Sequence, residues 1–511
     1  MNHWIVAPVV LPGLMAAFLV LALRHNLPRQ RLASIASTVV LLAMSIGLFA
    51  LSCDGETRAY ALGNWPAPFG IVMVLDRLSA LMLVLTSILA LAVALYASDG
   101  WDERGRHFHA LFQFLLMGLN GAFLTGDVFN LFVFFEVMLI ASYGLMLHGG
   151  GGRRLRAGFH YVAINLIGST LFLFAVGLIY AVTGTLNMAD LAEKAAQTAP
   201  GDVALLKTGV MLLFVVFALK AALVPLHWWL PTTYAAAPAP TAALFAIMTK
   251  VGAYSILRVH TMVFGVEAGA VADVAQPWIV PAALATLAVG AAGVLETRRI
   301  TDLAAFAVVW SMGSLLVAIG LFEPRGIAAA LYYTAHSTVA GAALFLLADL
   351  ICRRRGALED RLELGPPMAQ PALMAMLFFV AAIAMAGLPP LSGFIGKLLI
   401  LDAARGDAGV WIWGVILVSS LVVIIGFARA GSLLFWKSET VPATSTLEAP
   451  GPASMARTVL ALGGLLALTA GLSVFAGPAS DFFAATSAQI GDPSGYVRGV
   501  LGGGSAAGMG R

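Results

Sequence analysis

Charged residues inside membrane-length apolar stretches are the feature of this sequence that points most directly to chemistry. Three of the six lysines, Lys220, Lys250 and Lys397, lie in such stretches, and a further stretch contains Glu136. One charge at the centre of a bilayer costs about 2.5–3.5 kcal/mol on insertion scales, so these side chains must face the protein interior or a water-filled cavity. Ion or proton movement is therefore the first hypothesis.

Glu136 lies near the middle of DVFNLFVFFEVMLIASYGLML, and Lys220 lies in FVVFALKAALVP. We predict that the two side chains pair, because no other group of opposite charge lies at that depth nearby in the sequence. Burial favours the neutral form of each group, whereas a neighbouring opposite charge favours the charged form. Separating the pair would release the lysine proton, so the pair could act as a switch. The alternative is a fixed ion pair that positions two helices.

Lys250 and Lys397 have no acidic residue beside them in their apolar segments, so each could accept and return a proton through water. The alternative is that these lysines extend to the interface, which fits Lys397 better because it is nearer a helix end. His336, in ALYYTAHSTVAGAALFL, is the histidine well inside an apolar segment. Imidazole can take a proton on one nitrogen and give one from the other, which suits a relay between lysines; a satisfied core histidine is the alternative.

Two polar sites lie near the ends of these segments. His227 and Trp228 could line a proton uptake path on the cytoplasmic side, although an interfacial aromatic anchor is an equally good interpretation. Asp127 and Asn130 could form a cation vestibule on the outer side or cap the start of a helix, and we favour the cap.

Prolines interrupt two apolar segments beside buried lysines. Pro225 follows Lys220 by five residues, and Pro389 and Pro390 precede Lys397 in GLPPLSGFIGK. A proline inside a helix lacks an N–H and clashes with the carbonyl four residues back, which leaves that carbonyl free. Broken helices at membrane depth are tolerated where they line a polar cavity, and paired breaks in two halves of a chain are typical of transporter repeats. The alternative is a passive kink.

The composition is that of a polytopic membrane protein. Of 511 residues, 60% are hydrophobic and 11% are charged, and apolar runs long enough to cross a bilayer recur along the chain. Spanning backbone must satisfy its own hydrogen bonds, and the runs lack barrel-type alternation, so we predict an all-α protein. The chain is predicted to form one integral membrane domain, residues 1–511, with fourteen spans at about 4–23, 33–52, 78–97, 108–125, 128–147, 159–182, 208–224, 240–258, 278–295, 303–322, 327–350, 371–400 (broken in the middle), 410–428 and 457–477.

Loop charges predict the orientation. With both termini outside, seventeen of the 29 Lys and Arg residues lie in cytoplasmic loops and nine on the outer side, the other three being the buried lysines. The first segment is interpreted as a retained anchor in a bacterial inner membrane. Residues 187–197 are predicted to form an amphipathic surface helix, and the tail from Gly499 to Arg511 to be flexible. Cys53 and Cys352 fall on opposite sides and cannot pair.

Several classes of site and partner are excluded. The net charge of +3 is spread over several loops, which argues against a nucleic-acid partner. No phosphate-binding loop, haem-ligand pair or dinucleotide fingerprint occurs, and two isolated cysteines make neither an iron–sulfur nor a zinc site. We therefore expect no cofactor and no metal, and energy must come from an ion gradient or a partner.

The chain resembles the antiporter-like membrane subunits shared by respiratory complex I and the multisubunit Mrp (Pha, Mnh) cation/proton antiporters. The similarity covers most of residues 70–435. It is carried by NLFVFFEVMLIASYGLM, by GLPPLSGFIGK and by the highly specific LKAALVPLHWWLPTTYAAAPAPTAALFAIMTKVGAYSILR. Tyr234 stands where complex I subunits usually have His, and this residue and the LPPLSGFIGK form indicate the D-type branch of the Mrp subunits.

The resemblance implies fourteen helices with two inverted five-helix repeats, here about 108–258 and 278–428, and with broken helices crossing between them. It also implies roles for the buried residues. Glu136 and Lys220 would be the switch pair, Lys250 the central relay, His336 the relay on the second repeat and Lys397 the terminal proton site. One departure concerns Ala340, since family members often carry a lysine four residues after the histidine; the route from Lys250 to Lys397 must then rely more on His336 and water.

These observations predict a secondary transporter subunit rather than an enzyme. Its function would be proton translocation within a multisubunit antiporter that exchanges cytoplasmic Na⁺ or K⁺ for protons, supporting pH and salt tolerance, with a larger homologous antiporter-like subunit among its partners. The alternative is a proton-pumping subunit of a complex I-like or membrane-bound hydrogenase redox complex. An idle scaffold is a third interpretation, and the four buried ionisable groups argue against it because a scaffold has no need to bear their cost.

Overall fold

The computed structural model describes residues 3–406, 409–440 and 452–502. Nineteen α-helices account for most of these residues, which confirms the predicted helical class. The helices are α1 (Ala7–Leu21), α2 (Leu27–Ser52), α3 (Arg77–Ala97), α4 (Phe108–Leu124), α5 (Val128–Met146), α6 (Gly152–Thr183), α7 (Met188–Ala196), α8 (Val203–Lys220), α9 (Trp229–Ala236), α10 (Ala239–Leu257), α11 (Gln276–Glu296), α12 (Ile300–Gly320), α13 (Pro324–Cys352), α14 (Pro371–Ala386), α15 (Ser392–Ala403), α16 (Gly409–Gly431), α17 (Pro452–Val474), α18 (Ala476–Ile490) and α19 (Pro493–Leu501).

The membrane-length helices follow the predicted spans. In the part of the chain described, eleven helices are long and apolar enough to cross a membrane, and the three shorter apolar helices α1, α4 and α14 coincide with three further predicted spans. The total of fourteen spans stays a prediction. Helix α10 is buried along its entire length, as are nearly all residues of α12 and α13, so these helices form the centre of the protein.

Both predicted helix breaks occur. Helix α8 ends at Lys220, the chain passes Pro225, and helical structure resumes in the short α9 before α10. Helix α14 ends at Ala386, and α15 begins at Ser392 after Pro389 and Pro390. Each break therefore follows from the missing proline N–H, and each brings a lysine to the end or the first turns of a helix deep in the protein.

Loops predicted to lie on one side of the membrane do contact one another. On one side, Gln489 of α18 donates to the Gly55 carbonyl at 2.8 Å, beside the predicted outer residue Cys53. On the opposite side, Arg31 binds Asp102 at 2.7 Å and Trp101 Nε1 donates to Asp349 at 2.9 Å. The two polar surfaces match the predicted alternation of loops, whereas the orientation of the chain in a membrane stays a prediction.

Some features differ from the sequence prediction or were not anticipated by it. Strand β1 (Arg58–Ala61) pairs antiparallel with β2 (Val72–Leu75), a hairpin that the sequence did not indicate. The predicted surface helix at 187–197 is confirmed as α7, which Asn187 caps. The prediction of a flexible tail is wrong for residues 499–501, because α19 extends to Leu501; residues 503–511 lie outside the described part of the chain.

Candidate functional site

Lys220 is the first of the buried lysines along the chain. Its side chain is 6% exposed at the end of α8, and its ammonium donates to the Asn165 side-chain oxygen of α6 at 2.8 Å. Asn165 is held in place because its amide nitrogen donates to the Tyr161 carbonyl one turn earlier. The ammonium also lies 5.8 Å from the centre of the Phe135 ring on α5. A neutral amide and an aromatic ring therefore surround the charge.

Glu136 reaches this group through α6 rather than by direct contact. Its carboxylate accepts a hydrogen bond from Ser169, which lies one helical turn after Asn165 on the same face of α6. In residues 3–406, Glu136 forms no ion pair, so the predicted Glu136–Lys220 pair is not in contact here. The two groups are thus neighbours separated by polar side chains of α6.

Helices α8 and α10 cross very closely beside Lys220. A methyl group on Gly252 of α10 would stand 2.5 Å from the Ala221 nitrogen and 2.9 Å from the Phe217 carbonyl oxygen. Only a residue without a side chain allows this approach. The crossing fixes the broken end of α8 against the helix that carries Lys250.

Lys250 lies at the centre of the protein. Its side chain is 1% exposed, and its ammonium has no hydrogen-bond partner among the described residues. Lys250 lines a cavity of about 10 Å³ with mostly apolar walls, to which Tyr254 of the same helix and Thr334 of α13 also contribute. That volume is about what one water molecule requires. The alternative that Lys250 extends to the interface does not fit this position.

His336 of α13 is positioned by the second broken helix. Its ring is 1% exposed, and its Nδ1 lies 2.8 Å from the hydroxyl of Ser392, the first residue of α15. Its Nε2 forms no regular hydrogen bond within the described residues and faces the Gly393 backbone. Gly393 also contacts Gly387, which packs against the Lys397 side chain, so His336 lies near the lysine of the second break.

Lys397 of α15 is enclosed by three helices. It is 6% exposed, and its ammonium donates to the Ala386 carbonyl at the end of α14 and to the Ser420 hydroxyl of α16 at 3.1 Å. It also lies 3.8 Å from the centre of the Trp310 ring on α12. Ala386 is four residues before Pro390, so the lysine satisfies a carbonyl that the proline leaves free. The ammonium points inward and does not extend to the interface.

Gly387 allows this arrangement at the end of α14. Its φ is +74°, a left-handed conformation that favours glycine, and a methyl group there would stand 2.8 Å from the Lys397 ammonium. At the other break, Trp229 Nε1 donates to the Leu219 carbonyl at 3.0 Å, an oxygen that also accepts from the Ala222 N–H. Both breaks are therefore stabilised by long side chains that follow the proline.

The remaining predicted polar residues lie at the ends of helices. Asp127 accepts a hydrogen bond from the Asn130 N–H at 2.8 Å, which confirms the helix-cap interpretation. Burial raises the pKa of the Asp127 carboxyl to about 6, although N–H groups of the first turn act in the opposite direction. His227 is half-buried and Trp228 is exposed, in the connection between α8 and α9.

The sequence analysis missed the uncharged side chains that hold the charged ones. Asn165 and Ser169 on α6, Ser392 on α15 and Trp310 on α12 each contact a predicted site residue. The four-residue spacing of Asn165 and Ser169 inside a long apolar segment was the available signal. The described residues contain no group of three or more His, Cys, Asp or Glu side chains able to hold a metal ion.

Comparisons with known proteins agree with this architecture. The family described as NADH:quinone oxidoreductase/Mrp antiporter, transmembrane, matches residues 125–425. The D subunit of a probable K⁺/H⁺ antiporter of Rhizobium meliloti is 43% identical, and the alignment covers 98% of each chain. The D subunit of the Na⁺/H⁺ antiporter of Alkalihalophilus pseudofirmus is 36% identical, with 98% of this chain and 100% of that protein covered.

A solved structure gives the same result for the fold. A chain of the Mrp complex from Dietzia sp. superposes with a TM-score of 0.88 at 28% identity, over 98% of this chain and 100% of that chain. The family match covers more than half of the sequence, and the relatives align over nearly their full length. This chain therefore belongs to the family of membrane subunits shared by NADH:quinone oxidoreductases and Mrp antiporters, with D-type antiporter subunits among its relatives.

Proposed function

We propose that this chain is the proton-translocating subunit of a multisubunit antiporter that exchanges cytoplasmic Na⁺ or K⁺ for protons. The observation that carries this proposal is a series of ionisable side chains across the centre of the protein, four of them buried and the fifth, Glu136, half-buried. The series runs from Glu136 through Lys220, Lys250 and His336 to Lys397. The names of the relatives include both cations, so either ion is compatible with the proposal.

Proton movement begins, in this proposal, at Glu136 and Lys220. Asn165 and Ser169 keep the carboxylate and the ammonium close without joining them, so their separation can vary with small movements of α5 or α8 against α6. Approach of the carboxylate stabilises the lysine charge, and retreat leaves a buried ammonium that favours losing its proton. The proton then passes to Lys250, whose ammonium has no hydrogen-bond partner among the described residues and which lines a small internal cavity.

The second half of the route depends on His336. The usual family lysine is absent at Ala340, which is buried one turn after the histidine. His336 has one nitrogen on Ser392 and the other without a regular hydrogen bond, so it is able to accept a proton on one side and donate from the other. Water would connect it to Lys250 and to Lys397, the terminal site.

The experiment uses everted membrane vesicles that contain the whole complex, with an imposed pH gradient. Addition of Na⁺ or K⁺ to the wild type should dissipate the gradient. Glu136→Gln and Lys220→Ala should abolish this response while the complex still assembles, because each removes one member of the first proton-transfer pair. Wild-type exchange by both variants would contradict the proposed role of the pair.

Matched controls are available on α8 and on the neighbouring surface helix α7. Lys207 is an exposed lysine of α8, and Glu193 is an exposed glutamate of α7. Lys207→Ala and Glu193→Gln change the same charges outside the buried series, and both should retain exchange. Loss of exchange in these variants would point to a general effect of surface charge.

We also propose the assembly and the location. The chain would function with the other subunits of an antiporter complex, including a larger homologous subunit, in the bacterial inner membrane with both termini outside. A redox role remains the second candidate, because the matching family also includes NADH:quinone oxidoreductase. Proton movement that required NADH or quinone, and did not respond to Na⁺ or K⁺, would favour that candidate.

A further inference from the structure

The ammonium of Lys397 is buried without a carboxylate. Among the described residues it forms no ion pair, and its contacts are one carbonyl, one hydroxyl and the face of the Trp310 ring. A cation over an aromatic face is attracted by the negative charge at the centre of the ring, and tryptophan gives the strongest such interaction among the aromatic side chains. Trp310 is therefore a principal electrostatic partner of this lysine.

The Trp310 ring is held in a fixed position. It is completely buried, and its Nε1 donates to the Ser419 hydroxyl of α16 at 3.1 Å. Its backbone is pressed against Gly290 of α11, where a methyl group would stand 2.5 Å from the Trp310 nitrogen. The backbone of Trp310 is thus packed against α11 and its ring is bonded to α16, while Lys397 extends from α15. If α15 moved, the Lys397 ammonium would separate from the Trp310 ring, because the ring is held by other helices.

Few ionisable groups face Lys397 from the helices that surround it. On α13 they are His336 and the phenols of Tyr332 and Tyr333, which lie beside Gly396. Helix α14 contains no titratable side chain, whereas the charged residues of α12 and α16 lie near helix ends: Asp302 is eight residues before Trp310, and Arg429 is nine residues after Ser420. On α15 itself, Asp402 pairs with Arg405 at the end of the helix, and Arg457 of the neighbouring α17 donates to the Ser98 carbonyl. No carboxylate in the described residues therefore replaces the ring as a partner for the ammonium.

We propose that Trp310 is a positioning residue that stabilises the protonated form of Lys397 and thereby sets the pH at which this site releases its proton. The proposal rests on the proposed function, in which Lys397 is the terminal proton site. Loss of the ring face destabilises the ammonium relative to the neutral amine. Lys397 then releases its proton at a lower pH, and at neutral pH it is less often available in the protonated form.

The test is the pH profile of cation-dependent gradient dissipation in vesicles that contain the whole complex. On the acid limb of the profile, exchange rises with pH as Lys397 becomes able to release its proton. For Trp310→Leu this limb should move to lower pH by about one unit, because loss of a desolvated cation–π contact corresponds to roughly a tenfold change in proton affinity. Trp310→Phe keeps a weaker aromatic face and should move the limb by less. Ser420→Ala removes the hydroxyl contact and should also move it towards acid.

Phe306→Leu is the matched control. Phe306 lies one turn before Trp310 on α12 and packs against Gly293 of α11, much as Trp310 packs against Gly290, but it has no contact with Lys397 among the described residues. This variant should leave the pH profile unchanged. An acid shift of equal size in Phe306→Leu would assign the effect to helix packing and overturn the proposal.

Failure of this inference is distinguishable from failure of the proposed function. If Lys397→Ala exchanged ions at the wild-type rate, the proposed function would be wrong at its terminal site. If Lys397→Ala lost exchange but Trp310→Leu kept the wild-type profile, the relay would stand and the role of Trp310 would be refuted. Should Trp310→Leu fail to assemble, unchanged profiles of both Trp310→Phe and Ser420→Ala would refute it equally.

Discussion

At the scale of single residues, the charged groups of the proposed relay are held by neutral ones. Lys220 donates to Asn165, Glu136 accepts from Ser169, and His336 contacts Ser392. A hydrogen bond to an uncharged partner offsets part of the cost of burial without locking the charge in place, whereas a buried ion pair would oppose proton release. The arrangement is consistent with groups that change protonation during turnover.

Ser169 offers a direct test of this view. Ser169→Ala removes one hydrogen bond to the Glu136 carboxylate, an interaction worth about 1.5–3 kcal/mol. The carboxylate then loses its fixed position beside Asn165 and Lys220, and we expect exchange to fall about tenfold. The measurement is the initial rate of K⁺- or Na⁺-dependent gradient dissipation at constant amounts of assembled complex.

Thr170→Val is the control for this variant. The Thr170 hydroxyl donates to the Leu166 carbonyl of its own helix at 3.0 Å, and the side chain is exposed on the outer surface of α6. Its loss should leave exchange unchanged. Equal losses in Ser169→Ala and Thr170→Val would show that α6 is sensitive to any loss of a hydroxyl, and the specific role of Ser169 would be abandoned.

These two neighbouring residues also illustrate what the sequence could predict about the site. Lysines and a glutamate in apolar segments are conspicuous because burial of charge is costly, so the principal candidates were evident. Ser and Thr inside helices often bond their own backbone, so their presence alone indicates little. Which of Ser169 and Thr170 faces Glu136 depends on a rotation of about 100° of α6, fixed by its packing.

At the scale of helices, each break and its lysine form one structural unit. Pro225 and Pro390 lack the N–H that would continue a helix, and at each break a side chain that follows the proline donates to a carbonyl near the end of the preceding helix. Prolines identified both breaks in the sequence because their effect is local. The donors to these carbonyls, Trp229 and Lys397, depend on how the chain folds back and were not predictable from the local sequence.

The close crossing of α8 and α10 predicts a sensitive position. Gly252→Ala places a methyl group within 2.9 Å or less of the α8 backbone at Phe217, Lys220 and Ala221. Backbone atoms cannot move aside as a flexible side chain would, so we expect a loss of about 1–3 kcal/mol in stability. The purified complex should unfold at a lower temperature, and exchange should fall because Lys220 shifts relative to Lys250.

Gly177→Ala provides the comparison. Gly177 lies in α6, and a methyl group there would have no atom of another residue within 4 Å, so alanine should be tolerated or should slightly stabilise the helix. An equal loss of stability in both variants would mean that glycine matters through helix flexibility rather than through close packing. The two inverted repeats at 108–258 and 278–428 remain a proposal at this scale.

At the scale of the whole molecule, an apolar helical body separates two polar surfaces. One surface carries the β-hairpin, α7, α18 and α19, and the other carries the Arg31–Asp102 and Arg153–Asp360 ion pairs. Composition was sufficient to predict the helical body, because spanning backbone must satisfy its own hydrogen bonds. The hairpin and the last two helices were missed because short amphipathic segments outside the apolar spans have weak sequence patterns.

The two native cysteines allow the orientation to be measured without new probes. Cys53 is exposed at the end of α2, and Cys352 is partly exposed at the end of α13 on the opposite surface. The excess of cationic residues on the Cys352 side predicts that this side is cytoplasmic.

A membrane-impermeant maleimide should therefore label Cys53 of the Cys352→Ser variant in intact spheroplasts. It should label Cys352 of the Cys53→Ser variant only in everted vesicles, because the bilayer blocks the reagent on the other side. Labelling after detergent treatment gives the maximum for each thiol and corrects for slower reaction at the half-buried Cys352. The reverse pattern would place both termini inside, and the surface that carries the β-hairpin would then be the cytoplasmic one.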